Sequence, residues 1–220
     1  MNTNPGSKRV RRSLVAASVA IIGVGGAGSS AAWDDDHHHH MTLHSATFSD
    51  GGTLPLSMIN TIPGSNGQNS CTASGAAGGN ESPQLTWRSA PHETRSFVVI
   101  AYDVTAQFTH WMMYNIPADT TSLPENAGTP ASVYGVQNGN DFFQPNYGGP
   151  CPPMTLEPFA HVYRFTVYAL DTFLPIVPTF GDFTPAGPEG LYHELIEASR
   201  GGHVLASASI AGHFASVPGD

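Results

Sequence analysis

Hydrophobic residues along this chain occur in short segments, some alternating with polar residues, that are separated by glycine, proline and asparagine. Alternation with a period of two, and short apolar runs between turn residues, are typical of β-strands. The pattern predicts strands at residues 42–48, 54–59, 84–87, 96–103, 108–117, 162–170 and 203–210. The Gly-, Ser- and Asn-rich segment 63–80 predicts a mobile loop, and 118–158 predicts a long irregular stretch.

One segment has the spacing of an α-helix instead. In residues 188–199 (PEGLYHELIEAS), Leu191, Leu195 and Ala198 fall on one face, and Gly201-Gly202 follows as a stop signal. We therefore expect a mainly β protein of the α+β class, in which one helix covers a largely antiparallel sheet. Because no repeat and no second boundary interrupts the pattern, residues 42–216 are predicted to form a single domain.

The strand Thr109–Pro117 (THWMMYNIP) is almost entirely apolar, and His110 is its one ionisable residue besides a tyrosine. A histidine in this place has two interpretations. It is either a core histidine whose ring is satisfied by a backbone carbonyl, or a histidine at the mouth of a pocket that a ligand can use. The strand pattern alone leaves both open.

The first 32 residues have the features of an export signal. Basic residues beginning at Lys8 precede an apolar run from Leu14 to Val24, and small residues end at Ser30-Ala31-Ala32. The apolar run is shorter than the roughly 20 residues that span a bilayer, so no stable membrane anchor is expected. We predict export to the periplasm or the extracellular space.

Residues 33–41 are predicted to form a flexible, acidic and histidine-rich tail. Its WDDDHHHH run would either hold a divalent metal weakly or be a solvated tail or cloning tag. Nothing in this run fixes the geometry of metal ligands, so no metal site is assigned to it.

Removal of the signal makes the chain strongly acidic. Four arginines and no lysine then face 17 carboxylates, a net charge of −13 with histidine counted as neutral. Such a surface repels nucleic acid and anionic lipid at long range, so no nucleic-acid partner is expected. Any anion that binds must be captured by a local site.

The two cysteines, Cys71 and Cys151, leave two alternatives. In an oxidising compartment they would form a disulfide, which would close a long loop and be worth roughly 4 kcal/mol in the chain-entropy model. Otherwise they are two separate buried thiols.

Sequence signatures of enzymes are missing. The chain has neither a GxSxG nucleophile elbow nor a GxxxxGK phosphate loop. The run His193-Glu194-Leu195-Ile196-Glu197 begins like a zinc-protease helix, but glutamate stands where the second histidine ligand belongs. We therefore expect no enzyme activity, no cofactor and no metal centre.

Six sequence blocks run in order from about residue 42 to residue 214. They are ESPQLTW (81–87), SFVVIAYD (96–103), HWMMYNIPADTTSLPE (110–125), NDFFQPNYGGPCPP (140–153), HVYRFTVYALD (161–171) and LIEASRGGHVLASASIAGHF (195–214). In this order and spacing they resemble the phosphatidylethanolamine-binding protein family, specifically its bacterial Raf kinase inhibitor-like branch.

The resemblance implies a large central antiparallel sheet, packed by a smaller sheet on one side and a C-terminal helix on the other. It also implies a small pocket at one end of the sheet that accepts phosphate-like head groups. Carried over residue by residue, the ligand-binding positions are Asp103, His110, Gly149, Pro150, His161 and Tyr163.

Each implied position has a physical role open to it. Protonated imidazoles supply the positive charge that the surface lacks, and Tyr163 donates its hydroxyl proton. The Gly148-Gly149 backbone can approach an anion closely because it has no Cβ. Asp103 would orient an imidazole and favour its charged form, or pair with an amine on the ligand. The prolines that flank Cys151 would stiffen the rim.

One position departs from the family pattern. The family commonly has an Asp-Pro-Asp run where this chain reads Asp103-Val104-Thr105. The second carboxylate and the rim proline are therefore missing, which puts the selectivity of the pocket in doubt.

These observations favour an exported, non-catalytic binding protein for a small anionic or phosphorylated ligand, or for a protein segment that presents one. The alternative is an inhibitor or signalling modulator that acts through protein–protein contact. A hydrolase that uses the Asp103, His110 and His161 cluster is a third hypothesis, but no nucleophile is evident beside those residues.

Overall fold

The computed structural model of the protein describes residues 40–155, 158–180 and 186–216. The predicted export signal and nearly all of the predicted tail lie outside these residues. Within the described residues the structure has eight strands and one α-helix: β1 (Thr42–His44), β2 (Leu85–Arg88), β3 (Ser96–Asp103), β4 (Phe108–Pro117), β5 (Ser122–Leu123), β6 (Val136–Gln137), β7 (Ala160–Leu170), α1 (Gly187–Arg200) and β8 (Val204–Ala215).

Two antiparallel sheets organise these elements. The larger sheet has the strand order β6-β4-β3-β7-β8, and the smaller sheet has the order β1-β2-β5. All the strand pairs in both sheets are antiparallel. The predicted fold class is therefore confirmed: a large antiparallel sheet, a smaller sheet and a helix.

Strand β3 explains why the larger sheet lies in the middle of the molecule. Every residue of β3 except Tyr102 is buried, because both faces of this strand are covered. Val99 and Ala101 pack into the cluster shared with the smaller sheet, whereas Val98 and Ile100 pack into the cluster beneath α1. A strand buried on both faces reads as a continuous apolar run rather than as an alternation.

Helix α1 covers the second face with the residues that the sequence predicted. Leu191, Leu195 and Ala198 are buried against the sheet. The helix begins with a proline in its first turn and ends at Arg200, and the N–H of the capping residue Gly201 donates to the Glu197 carbonyl (2.9 Å). Gly202 then reverses the chain with φ of 77°, a conformation that favours glycine.

Three of the predicted strands are wrong in extent or type, and one of them is the last, predicted at 203–210, which continues to Ala215 in β8. Residues 54–59 form a 3-10 helix at Leu56–Met58, in which the Met58 and Ile59 N–H groups each bond to a carbonyl three residues earlier. Short apolar runs do not distinguish strand from helix by periodicity, and Met58 and Ile59 are fully buried in either case. The first strand ends at His44 because the Ser45 hydroxyl turns the chain by donating to the Gln84 carbonyl (2.6 Å).

The glycine-rich loop before β2 has a hydrogen-bonded order that its composition did not predict. The buried Asn69 side chain donates to the carbonyls of Asn60 (2.9 Å) and Ala76 (3.0 Å) and accepts from the Ile62 and Cys71 N–H groups. Cys71 is bonded to Cys151, 80 residues further along the chain. The loop is therefore attached to the segment that follows the predicted Gly149-Pro150 site.

We expect loss of the disulfide to lower the free energy of unfolding. The double substitution Cys71→Ser and Cys151→Ser removes a cross-link over a long loop, which is worth about 2–5 kcal/mol. Denaturant titration of the oxidised protein and of the double variant measures the difference. Reduction of the native protein should reproduce it, and equal unfolding midpoints would show that the bond does not stabilise the fold.

Candidate ligand-binding site

A cavity of about 190 Å³ lies where β3 ends and where β4 and β7 begin. Antiparallel pairing creates it, because the last residue of β3 stands beside the first residues of both neighbouring strands. In the register, Asp103 pairs with Phe108 on one side and with Tyr163 on the other. Its lining residues are Asp103, Ala106, Phe108, His110, Phe142, Cys151, Pro152, Pro153, His161 and Tyr163.

Asp103, the last residue of β3, accepts hydrogen bonds from the following turn and from the His161 imidazole. Its Oδ1 atom accepts hydrogen bonds from the N–H groups of Thr105 (2.8 Å) and Ala106 (2.9 Å). Its Oδ2 atom accepts from Nδ1 of His161 (2.6 Å), and both side chains are buried. The carboxylate thus fixes the ring orientation of His161 and leaves Nε2 as the ring nitrogen that a ligand can use.

Thr105 stands where the family commonly has its second aspartate. Its hydroxyl accepts a hydrogen bond from the Val162 N–H (3.0 Å), and the Val104 N–H donates to the Val162 carbonyl (2.9 Å). These two bonds join the turn to β7 without a second carboxylate. The departure therefore removes a negative charge from this turn while keeping the turn attached to the sheet.

His110 satisfies both interpretations that the sequence left open. It is 4% exposed, it lines the cavity, and its Nδ1 donates to the Gly148 carbonyl (2.6 Å). Burial lowers the pKa of His110 below its usual value, and the Gly148 carbonyl and the Asp103 charge oppose that shift only in part. The neutral ring is therefore favoured, and its Nε2 atom has no hydrogen-bond partner among the described residues.

Tyr163 carries a buried hydroxyl group without a partner in the described part of the chain. Burial raises the pKa of Tyr163, and the nearby Asp103 carboxylate raises it further, although the two groups do not meet hydrogen-bond geometry. The hydroxyl therefore stays protonated. A buried donor without an acceptor costs about 1–3 kcal/mol, which an acceptor on a ligand would offset.

Aromatic residues outside the six predicted positions form one wall of the cavity. The ring of Phe142 contacts Phe108 and His110 edge-on, with centroids 4.7 Å and 5.4 Å apart. Phe108 could have been found, because it lies two residues before His110 and therefore on the same strand face. No sequence signal separates Phe142 from its neighbour Phe143, which is 81% exposed.

Asn140 positions Phe142 through its side-chain amide. Its Oδ1 atom accepts from the N–H groups of Phe142 (2.9 Å) and Gln144 (3.1 Å), and its Nδ2 donates to the carbonyls of Asn146 (2.7 Å) and His110 (3.3 Å). Asn140 is buried, so these four bonds have no competition from water. The side chain links the aromatic loop to the start of β4.

The structure does not place Gly149 and Pro150 on the cavity lining. The Gly149 N–H donates to Oδ1 of Asn80 (2.7 Å), and the Pro150 carbonyl accepts from the Asn60 N–H (3.1 Å). A Cβ on Gly149 would meet the Met58 carbonyl oxygen at 2.1 Å, so glycine is required here by packing. Of the six predicted positions, Asp103, His110, His161 and Tyr163 come together, and the other two support the wall behind them.

Two further findings concern the described ranges 40–155, 158–180 and 186–216. They contain no cluster of three or more His, Cys, Asp or Glu side chains arranged to hold a metal ion. They also contain no helix of the length and apolar character that a membrane crossing requires.

The two-sheet fold thus carries, at its strand ends, a small cavity in which a few polar groups stand among apolar walls, the kind of concave site at which proteins bind small molecules. The sequence profile of "Phosphatidylethanolamine-binding protein" matches residues 44–215. The chain belongs to the phosphatidylethanolamine-binding protein family.

Individual relatives agree with this assignment. The UPF0098 protein YbcL of Escherichia coli is 44% identical over 106 residues, which is 44% of this chain and 57% of that protein. The UPF0098 protein YbhB of Escherichia coli is 37% identical over 147 residues, 64% of this chain and 85% of that protein. The crystal structure of YbcL, described as a new member of the mammalian PEBP family, has a TM-score of 0.60 and 30% identity, and covers 80% of this chain and 98% of that chain.

We expect His110 to make stability dependent on pH. In the unfolded chain this histidine takes up a proton near its usual pKa of about 6.5. In the folded chain burial lowers the pKa of His110, so the unfolded state binds more protons at acidic pH. The free energy of unfolding therefore falls as pH decreases below about 6.5. Replacement with His110→Gln should flatten the slope of unfolding free energy between pH 7 and pH 5 by at most about 1.4 kcal/mol per pH unit. Denaturant titrations at several pH values measure the slope, and identical slopes would contradict the prediction.

We expect Asn140→Ala to destabilise the protein by about 2–4 kcal/mol, since it leaves several buried polar groups without partners. The matched control is Gln144→Ala, in the same loop but with an exposed side chain, which should change stability by less than about 0.5 kcal/mol. Thermal or denaturant unfolding measures both. Similar losses in the two variants would show that the loop, rather than the Asn140 amide, is sensitive.

Proposed function

We propose that this protein is an exported, non-catalytic binding protein whose cavity takes a small anion of the phosphate or phospholipid head-group type. The observation that carries the proposal is the convergence of unused hydrogen-bonding atoms. Nε2 of His110, Nε2 of His161 and the hydroxyl of Tyr163 all belong to the lining of one cavity and have no partner among the described residues. An oxyanion has enough acceptor sites to serve all three groups at once.

The size and walls of the cavity favour a small ligand. Its volume of about 190 Å³ is below the range of roughly 300–1,000 Å³ typical for drug-sized ligands. Phe108, Phe142, Pro152 and Pro153 surround the polar groups with apolar surface. Such walls lower the local dielectric, which strengthens each hydrogen bond to a bound anion.

Protonation of the imidazoles supplies the charge that the ligand needs. No arginine lines the cavity among the described residues, and Asp103 is negative. Because Nδ1 of His110 already donates to Gly148, the neutral ring presents only an acceptor at Nε2. A protonated ring presents a donor there, so anion binding and proton uptake favour each other and binding should weaken as pH rises.

Separate features support export and support binding without turnover. The signal-like N-terminus and the Cys71–Cys151 disulfide both fit an oxidising compartment outside the cytoplasm. The lining cysteine is held in that disulfide, and the raised pKa of Tyr163 keeps its hydroxyl neutral. Within the described lining, neither group is then an activated nucleophile of the kind that covalent catalysis requires.

Calorimetric titration with phosphate and with phosphoethanolamine at pH 6 and pH 8 tests the proposal. We expect binding at pH 6 that weakens at pH 8 and is lost in His110→Ala and His161→Ala. Tyr163→Phe should weaken binding about tenfold without lowering stability, because it removes a donor that is unpaired in the free protein. Preference for phosphoethanolamine over phosphate would assign a lipid head group, since its amine can pair with Asp103.

The control is His203→Ala, which removes an exposed histidine paired with Asp171 (Nδ1 to Oδ1, 2.8 Å) outside the cavity. It should bind as the unchanged protein does. Absence of binding by the folded protein at either pH would overturn the anion proposal and favour a protein-inhibitor role, to be tested on secreted proteases. Release of phosphate from a phosphoester would instead favour a hydrolase.

A further inference from the structure

A second concave surface of about 460 Å³ lies on the opposite face of the larger sheet, beside α1. In β7, His161 and Tyr163 face the cavity described above, whereas Arg164, Thr166 and Tyr168 line this groove. The groove therefore shares a strand with the cavity but none of its lining residues. We name it the tyrosine groove; its residues used below are Tyr102, Arg164, Thr166, Tyr168, Tyr192 and Ser209.

The strand register places the side chains of the tyrosine groove in pairs on adjacent strands. Tyr102 stands opposite Arg164, Thr166 stands opposite Ser209, and Tyr168 stands opposite Ser207. Tyr192 of α1 closes one side, with its ring edge-on to Tyr102 at a centroid distance of 6.4 Å. Aromatic rings thus frame a surface whose remaining groups are mainly hydroxyls and one guanidinium.

Arg164 gives the groove a positive charge that its own lining does not neutralise. No carboxylate lines the groove, and no carboxylate of the described residues forms an ion pair with Arg164. Arg200, by contrast, pairs with Glu197, and Arg95 lies over the Phe173 ring. In a chain with 17 acidic residues, an exposed guanidinium without a carboxylate partner favours an anionic ligand.

Two tyrosine hydroxyls of the groove, those of Tyr168 and Tyr192, stay protonated, and the Tyr192 hydroxyl lies 3.3 Å from the Thr109 hydroxyl. Burial raises the pKa of Tyr192 to about 12 and also raises that of Tyr168, where the charge of Arg164 opposes the shift. Thr166 and Ser209 hydroxyls bond to each other (2.8 Å). Several hydroxyls beside aromatic faces match a ring that carries hydroxyl groups on its edges and C–H groups on its faces.

We propose that the tyrosine groove is a second binding site, whose ligand is an anionic sugar with a carboxylate or phosphate paired to Arg164. The guanidinium binds either oxyanion through two parallel hydrogen bonds. The hydroxyl groups and the aromatic rings of the groove contact the sugar ring. A ligand that carries both a sugar ring and an anionic group contacts Arg164 and the aromatic rings together, so we assign both features to one molecule.

Titration of the ¹⁵N-labelled full-length protein by NMR tests this site directly, because the amides that shift identify where the ligand binds. The probes are glucuronate, glucose 6-phosphate, glucose and inorganic phosphate. We expect both anionic sugars to shift amides of β7, β8 and α1. Glucose and inorganic phosphate should bind there about tenfold more weakly or not at all. Comparison of the affinities for glucuronate and for glucose 6-phosphate shows whether the groove prefers a carboxylate or a phosphate.

The variant Arg164→Gln should weaken anionic-sugar binding about tenfold, and Arg88→Gln, which removes the same charge from the smaller sheet, should leave it within about twofold. His110→Ala should leave it unchanged, so failure of the anion cavity does not affect this test. Equal binding by Arg164→Gln, equal binding of glucose and glucuronate, or shifts confined to the His110 cavity would each overturn the proposal.

Discussion

Burial of β3 on both faces is the constraint on which the rest of the molecule depends. Ser96–Asp103 has one partly exposed residue, so each face of the strand needs its own cover. The smaller sheet and the 3-10 segment cover one face, and α1 covers the other. The same arrangement makes the neighbouring strand β7 contribute to two chemically different surfaces, a histidine-lined cavity on one face and a tyrosine-lined groove on the other.

Polar side chains cluster where β3 ends, because the buried polar groups there need hydrogen-bond partners other than water. Asp103 meets that demand by bonding two turn N–H groups and one imidazole. Asn140 does the same for the aromatic loop. The Tyr163 hydroxyl is the exception, and a buried donor without a partner is costly unless a ligand completes it. Hydrogen bonds therefore hold Asp103 and His161 in place, whereas the Tyr163 hydroxyl still lacks an acceptor that a ligand could supply.

Electrostatics give the two surfaces different requirements. The exported chain would carry a net charge of −13, so a bound anion needs a local cation. Under the proposed function that cation in the cavity is His110, whose protonation is opposed by burial. In the proposed groove site it is Arg164, whose charge does not titrate. The proposed cavity site therefore depends on a protein group that titrates, whereas the proposed groove site depends on one that does not.

The sequence by itself determined the class of fold, the helix face of Leu191 and Leu195, the central strands and four residues of the cavity. These follow from local periodicity and from blocks of residues that resemble a family. Tertiary structure alone decided that the predicted strand 54–59 contains a 3-10 helix at Leu56–Met58, that Gly149 packs behind the wall, and that Phe142 rather than Phe143 faces His110. Those outcomes depend on contacts between residues far apart in the chain, which no local pattern encodes.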